Sequence, residues 1–349
     1  MNEKKHLTPV WIIYADGRRL DTVHEGALRS ITVKDCLNGL SSFSLIFDTA
    51  EAKIREEGLL SMESEVTIHL GYKDDVEAVF SGEVVGFRGI YSDSGSEQLE
   101  VTGSSALHKL DHGSRHRGYE GKKPSDVIKL MLEGYSLKGE VEDFGAAREY
   151  HTEETITDFD YLMEMAGAYG KEVYADGSTV YVKDEITIKP DEVIYEWGKS
   201  LFNLDASQNI LGVVSEVECI GQERLKEECF TGKASMKDIP VKLGGEKDWS
   251  GISKGGSGVF VDTYVDMSCK DTEEAKQIAI GRLQKNSYKF ICASGKGEGN
   301  HKLRPGMRVT IKMVGGAFEG EYMAESVTHN FDRLGGYRTD FTLKRNMSP

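Results

Sequence analysis

Prolines number only six, cysteines five and tryptophans three in a chain of 349 residues. No apolar run approaches the roughly 20 residues that cross a bilayer as a helix. The most apolar N-terminal stretch, Val10–Ala15, is closed by Asp16 and is too short for the apolar region of a secretory signal. The cysteines, Cys36, Cys219, Cys229, Cys269 and Cys292, are odd in number and scattered, with no C-x-x-C pair, which fits a reducing cytoplasm better than an oxidising compartment. Positive charge is short as well: 43 Lys and Arg stand against 58 Asp and Glu, a net charge of −15. A general nucleic-acid binder needs a basic stripe to displace phosphate counterions, so stable nucleic-acid binding is not expected. With 39% hydrophobic and 29% charged residues, what remains is an ordinary folded globular protein, long enough for two or three domains.

Catalytic signatures are also missing. Gly198-Lys199-Ser200 has the tail of a phosphate loop, but Val193 stands where the earlier glycine belongs. Gly295, Gly297 and Gly299 do not have the dinucleotide-binding spacing and read as a flexible turn. No G-x-S-x-G elbow occurs. Asp158/Asp160 and Glu153/Glu154 read as cap and solvated surface rather than a glycosidase pair. His108, His112 and His116 are spaced four apart, which on one helix would offer imidazoles to zinc. Gly113 and Ser114 interrupt that helix, and Lys109, Arg115 and Arg117 would repel a dication, so a polar surface loop is expected. His329, inside a strand, is expected to make a structural hydrogen bond. The residues thus point to no enzyme, no cofactor and no metal.

What is present is β pattern. Val10–Tyr14, Leu28–Lys34, Phe43–Phe47, Val66–Leu70, Val79–Phe87 and Gln98–Thr102 read as strands between Gly- and Asp-rich turns, with a short covering helix at Glu51–Arg55. That spacing suggests a barrel or sandwich. Pro124-Ser125-Asp126 opens a helix, and Thr157–Asp160 is a capping box for a second one that Gly170 stops. A hairpin follows, Glu172–Tyr174 with Val180–Val182 about Asp176-Gly177. Strands return at Val213–Ile220, Val259–Met267, Tyr288–Ala293, Val309–Val314, Gly320–Phe331 and Tyr337–Arg345, with a helix capped at Asp271. The division expected is a first β-barrel over residues 1–110, an α+β module over 111–195 and a second β-barrel over 196–349. The second barrel carries a mobile Gly-rich loop at 244–258 and a helix at 271–287. The last strands echo the first: Val66-Thr67-Ile68 with Val309-Thr310-Ile311, and Phe80-Ser81-Gly82-Glu83 with Phe318-Glu319-Gly320-Glu321. The fold class expected is mainly β with an α+β insertion, built on two related antiparallel barrels.

Four stretches carry a likeness to a known family: Val79–Val85; Leu99–Gly103 leading to Ala106–Leu110; Thr157–Leu162 with Tyr169-Gly170 and the hairpin to Val182; and Leu303–Gly306 through Phe318–Tyr322, Val327–His329 and Gly335–Thr339. The sequence resembles the late control protein D family of contractile-tailed phages, the hub part of the type VI secretion spike protein and the hubs of extracellular contractile injection systems. The resemblance implies a non-enzymatic baseplate hub: a homotrimer whose two tube-forming domains per chain present quasi-sixfold order to a hexameric tail tube and threefold order to a spike. Baseplate wedge, cargo and tape-measure proteins are further implied partners. The implied location is the cytoplasm of the producing cell and then the assembled particle. Because the chain stops at Pro349, just after the last barrel strand, the spike is expected to be a separate polypeptide. The family-signature positions here are Phe80, Gly82, Glu83, Phe159, Leu162, Gly170, Pro305, Gly306, Phe318, Gly320, Tyr322, His329, Gly336 and Thr339. The alternative reading is an adhesin or carbohydrate-binding β module of a phage-like particle. It would need an aromatic-lined groove, and of Trp11, Trp197 and Trp249 only Trp249 lies in a loop suited to that.

Overall fold

The computed structural model describes residues 8–48, 60–73, 75–93, 97–152, 156–186, 192–223, 228–249, 259–266 and 268–349. The helix expected at Glu51–Arg55 lies outside them, as do residues 250–258 of the Gly-rich stretch.

The chain opens with β1 (Pro9–Ala15), β2 (Arg18–Arg19), α1 (Thr22–Ala27), β3 (Leu28–Cys36), β4 (Ser42–Asp48), β5 (Glu65–Tyr72), β6 (Asp75–Tyr91) and β7 (Glu97–Ser104). Alternation decides their faces: Ile31 and Val33 of β3, Phe43, Leu45 and Phe47 of β4, and Val66, Ile68 and Leu70 of β5 are buried in one core. A 3-10 turn (Ala106–Asp111) leads to β8 (Ser114–Arg115), β9 (Gly118–Lys122), α2 (Pro124–Glu133), β10 (Lys138–Val141), β11 (Arg148–Thr152) and β12 (Ile156–Thr157). Then come α3 (Asp158–Ala168), β13 (Glu172–Asp176) and β14 (Thr179–Lys183). Pro124 sits at the first position of α2, where its missing N–H costs nothing. The Thr157 hydroxyl caps α3 by accepting from the Asp160 N–H at 3.0 Å.

The last part holds β15 (Val193–Glu196), β16 (Leu201–Gln208), β17 (Glu216–Glu223), β18 (Glu228–Ser235), β19 (Val261–Val265) and α4 (Thr272–Ser287). It ends with β20 (Ile291–Glu298), β21 (Arg308–Lys312), β22 (Gly320–Asp332) and β23 (Gly336–Arg345). The Asp271 carboxylate caps α4 by accepting from the Glu274 N–H at 2.9 Å. The fold is mostly antiparallel β-sheet with few helices. Among the described residues no helix is long and apolar enough to cross a membrane.

Two sets of six strands have one and the same order. In chain order the first set is β1, β3, β4, β5, β6, β7, and it is hydrogen-bonded as β1-β5-β6-β7-β4-β3. The second set, β15, β16, β20, β21, β22, β23, is bonded as β15-β21-β22-β23-β20-β16. Irregularities coincide too. Glu83 lies opposite both Glu65 and Ser104, and β6 bulges at the next step but one, between Val84 and Gly86. Met323 lies opposite both Arg308 and Lys344, and β22 bulges at the same step, between Ala324 and Ser326. A second bulge falls between Leu28 and Ser30 of β3 and between Leu201 and Asn203 of β16. The sets differ at their first strand: β1 runs antiparallel to β5, whereas β15 runs parallel to β21.

This register corrects one equivalence read from the letters. Gly82 faces Val66 and Tyr322 faces Val309, so Gly82 corresponds to Tyr322, and the Phe80–Glu83 and Phe318–Glu321 motifs are offset by two residues. Gly295 and Gly297 are not a flexible turn either; they lie inside β20. A Cβ at Gly295 would come 2.6 Å from the Phe341 ring, one at Gly297 would overlap the Tyr195 ring, and one at Gly299, just past the strand, the Tyr337 ring. Aromatic rings lying across the sheet require these glycines. In the described part of the Gly-rich stretch, residues 245–247 are exposed, while Trp249 is buried and Lys247 exchanges backbone hydrogen bonds with Ser348 at 3.1 and 2.7 Å.

The two sets join within the chain. The distal half of β22 pairs with β3, from Ser326 opposite Cys36 to Asp332 opposite Ser30, making a single 13-stranded sheet. The strands inserted between β16 and β20, together with α4, share a core with the middle module: Val127, Leu162, Val217, Ala234 and Ile278 belong to one buried cluster.

Candidate functional site

Two features stand out: the joint between the strand sets and the edges the sheet leaves over. At the joint, His329 of β22 lies opposite Val33 of β3 and Thr339 of β23. Its ring is fully buried; Nδ1 accepts from the Tyr337 hydroxyl at 2.8 Å, so Nε2–H donates to the Leu303 carbonyl at 3.2 Å. Burial, then the charge of Arg304, holds its pKa well below the usual imidazole value, so the ring stays neutral. The Thr339 hydroxyl accepts from the Asn300 N–H at 2.9 Å. Together these two side chains fix the loop 299–307, which holds buried Pro305 and Gly306. Gly306 has φ +83°, and a Cβ there would overlap the Ile186 carbonyl oxygen. Arg304 spans the joint: Nη1 donates to the His301 and Leu303 carbonyls at 2.7 and 2.8 Å, and Nη2 donates to the Ala78 carbonyl of β6.

The remaining signature positions are spread through the fold. Phe80 is buried edge-to-face against Phe43, with centroids 5.7 Å apart. Gly82 admits the Ser104 backbone, and Glu83 pairs with Lys109 at 2.5 Å. Leu162 and Phe159 of α3 pack in the core of the middle module, and Gly170 (φ +73°) packs against Gly281 of α4. The Phe318 carbonyl accepts from the Tyr322 hydroxyl at 2.8 Å, Gly320 (φ +121°) lies beside Arg345, and Gly336 (φ +73°) turns β22 into β23. The structure does not bring these residues to one site; they are joint, core and turn residues.

The middle module is docked on the first strand set by buried polar groups. Asp35 accepts from the Ser41 hydroxyl at 2.6 Å and from the Tyr174 hydroxyl of β13 at 2.7 Å. Asn38 accepts from the Val173 N–H at 2.9 Å and donates to Glu172. Desolvation outweighs the hydroxyl donors and pushes the Asp35 pKa to about 6. A folded chain that keeps this proton while the unfolded chain releases it loses stability as pH rises from about 4 to about 6, with the loss complete above that window. At about 1.4 kcal/mol per pH unit the cost approaches about 3 kcal/mol. Asp35→Asn is therefore expected to gain stability relative to the parent between pH 4 and pH 7 in urea unfolding. Parallel pH profiles of the two proteins would contradict this.

The edges are the second feature. Among the described residues, β16 is bonded on one side alone, to β20, and the Gly86–Tyr91 half of β6 is bonded only to β7. Both edges and their flanks carry exposed apolar side chains: Val85 and Tyr91 on β6, Phe202 on β16, and Ile210 and Leu211 just beyond it. Unpaired edges of this length invite another strand.

Two other candidates fall away. The 3-10 turn ends at Asp111, so His108, His112 and His116 share no helix face. His108 Nδ1 lies 2.9 Å from the Ser105 carbonyl and its ring stands edge-on to His112 at 5.8 Å, while His116 is exposed beyond. Trp249 is only 3% exposed, with its ring 5.7 Å from that of Phe260, so it lines no open groove. It fills the core of the second strand set.

Comparison with solved structures places the fold. A tail protein from Neisseria meningitidis MC58 superposes with TM-score 0.69 at 13% identity, covering 97% of each chain. The 43 kDa tail protein of prophage MuSo2 from Shewanella oneidensis gives 0.68 at 12% identity, covering 97% of this chain and 99% of that one. An E. coli component of the type VI secretion system, structurally similar to T4 bacteriophage tail proteins, gives 0.61 at 11% identity over 93% of this chain and 76% of its own. These likenesses show a tail-protein fold. Comparison with curated proteins finds no match. The family model described as the Alg8 N-terminal domain matches residues 7–332. The chain belongs to the Alg8 N-terminal domain family.

Proposed function

We propose that the chain is the structural hub of a contractile tail or injection particle. Three copies close a ring of six β units that meets a hexameric tail tube on one face and a threefold spike on the other. The units are the expected first barrel (1–110) and second barrel (196–349), with the module at 111–195 bracing them from outside. The particle and its surroundings supply the location, and catalysis is no part of the role.

One observation carries this reading: the chain makes one joint of a repeating series internally and leaves the two halves of the next joint open. Inside the chain, β22 of the second set pairs with β3 of the first. The equivalents of those strands in the opposite sets are β6 and β16, whose corresponding edges are unbonded among the described residues. Pairing β6 of one copy with β16 of the next repeats the same contact, and closed rotational symmetry then requires as many joints between chains as within them. The equivalences also fix the register. Thr328 opposite Lys34 becomes Arg88 opposite Ser207, and His329 opposite Val33 becomes Gly89 opposite Ala206.

Trapping with a short bis-maleimide tests it. Arg88→Cys combined with Ser207→Cys is expected to give covalent species ending at three chains, beyond any background from the native cysteines. A yield equal to that of the parent, or a ladder that ends at two chains, contradicts the reading.

A further inference from the structure

Where the β5–β6 hairpin meets the loop that follows β20, three side chains with metal-binding atoms converge outside every role described above. Asp75 and Glu77 are two residues apart at the start of β6 and so point to one face. His301 comes from the loop 299–307. Their ligand atoms lie within 4.8 Å of one another. His301 is 4% exposed; its Nδ1 makes no hydrogen bond, while its Nε2 pairs with Asp75. Its Nε2 is aimed at the carboxylates, 3.2 Å from Asp75 Oδ1. Two ligands of one tetrahedral zinc, each about 2.0–2.1 Å from the metal, stand about 3.3 Å apart. The backbone of His301 is held as well, because its carbonyl accepts from Arg304 at 2.7 Å.

We infer that Asp75, Glu77 and His301 form a binding site for a first-row divalent cation of the zinc type, which clamps the first strand set to the loop of the second. One imidazole and two carboxylates suit zinc, cobalt or nickel, with water completing the shell, and disfavour calcium, which takes oxygen ligands alone. The joint at His329 is already satisfied within the protein; this clamp sits beside it and locks the hairpin to the loop.

Calorimetric titration of the full chain with zinc chloride tests the site, with calcium chloride as a second arm. One zinc per chain is expected, with a rise in the unfolding temperature. His301→Gln, and separately Asp75→Asn with Glu77→Gln, should weaken binding by at least about tenfold. Asp75 is mostly exposed, so the carboxylate variant keeps the fold even where loss of the buried histidine disturbs it. Zinc binding unchanged in the carboxylate variant would place the metal on other histidines or cysteines and overturn the inference. Calcium binding as tight as zinc, or no zinc bound by the parent, would also overturn it.

Discussion

Gly281→Ala is expected to destabilise the protein by about 2–4 kcal/mol, although alanine for glycine inside a helix ordinarily stabilises by up to about 1 kcal/mol. Gly281 lies in the middle of α4 and faces the end of α3. A Cβ there would overlap the backbone of Tyr169 and Gly170, and one at Gly170 would lie 2.5 Å from the Gly281 Cα. Neither side of this contact is a side chain that could rotate away, so the helices must separate. Separation strains the contacts beside it: Tyr169 donates to Glu274 of α4 at 2.6 Å, and Arg148 pairs with that same buried carboxylate at 2.9 Å. Gly170→Ala is expected to cost at least as much, since its φ of +73° adds backbone strain. Urea unfolding of the two variants checks the sign; a stabilised Gly281→Ala protein would mean that the middle module is not seated on α4 as described.

Lys344→Met is the second large effect, about 3–5 kcal/mol of lost stability. Lys344 of β23 meets Glu172 of β13 at 2.9 Å, with side chains only 8% and 3% exposed, and thereby ties the second strand set to the middle module. Removing the cation leaves a buried carboxylate whose remaining described partner is Asn38. The pair is worth less than this loss suggests, because both charges were desolvated to make it. Adding Glu172→Gln should therefore recover most of the stability and bring the double variant within about 1 kcal/mol of the parent. Lys285 lines the same pocket, and its pKa is already lowered by burial, so partial compensation would put the single variant at the lower end of the range. A double variant as unstable as Lys344→Met alone would show that packing, and not the uncompensated charge, sets the cost.

The parts of the fold visible in the sequence are those where one face of an element is buried and a local signal marks its end. β3 and β4 alternate, and α3 and α4 announce themselves through Thr157 and Asp271, because a capping side chain acts within its own four residues. The edge strand β16 lies where β character returns from about Leu201, but it is not marked as a strand of its own: its outer side chains are exposed, so Leu201, Leu204 and Ala206 make only a faint pattern. β20 is obscured by the glycines that Tyr195 and Phe341 require, a demand set by strands far away in sequence. Letters alone also misplace the repeat by two residues, since register is fixed by bulges at Val85 and Glu325 that no residue type marks. The convergence of His301 with Asp75 and Glu77 could not be read at all, because only the folded joint brings those segments together.

The central claim is that one chain carries two equivalent β units whose leftover edges match. Electron-microscopic reconstruction of the assembled particle at threefold symmetry tests it most directly. The account predicts six β units around the channel, alternating between first and second strand sets, with β6 of each chain hydrogen-bonded to β16 of the next and Arg88 facing Ser207. A ring in which β16 stays unpaired, or in which only one strand set of each chain lines the channel, would contradict it.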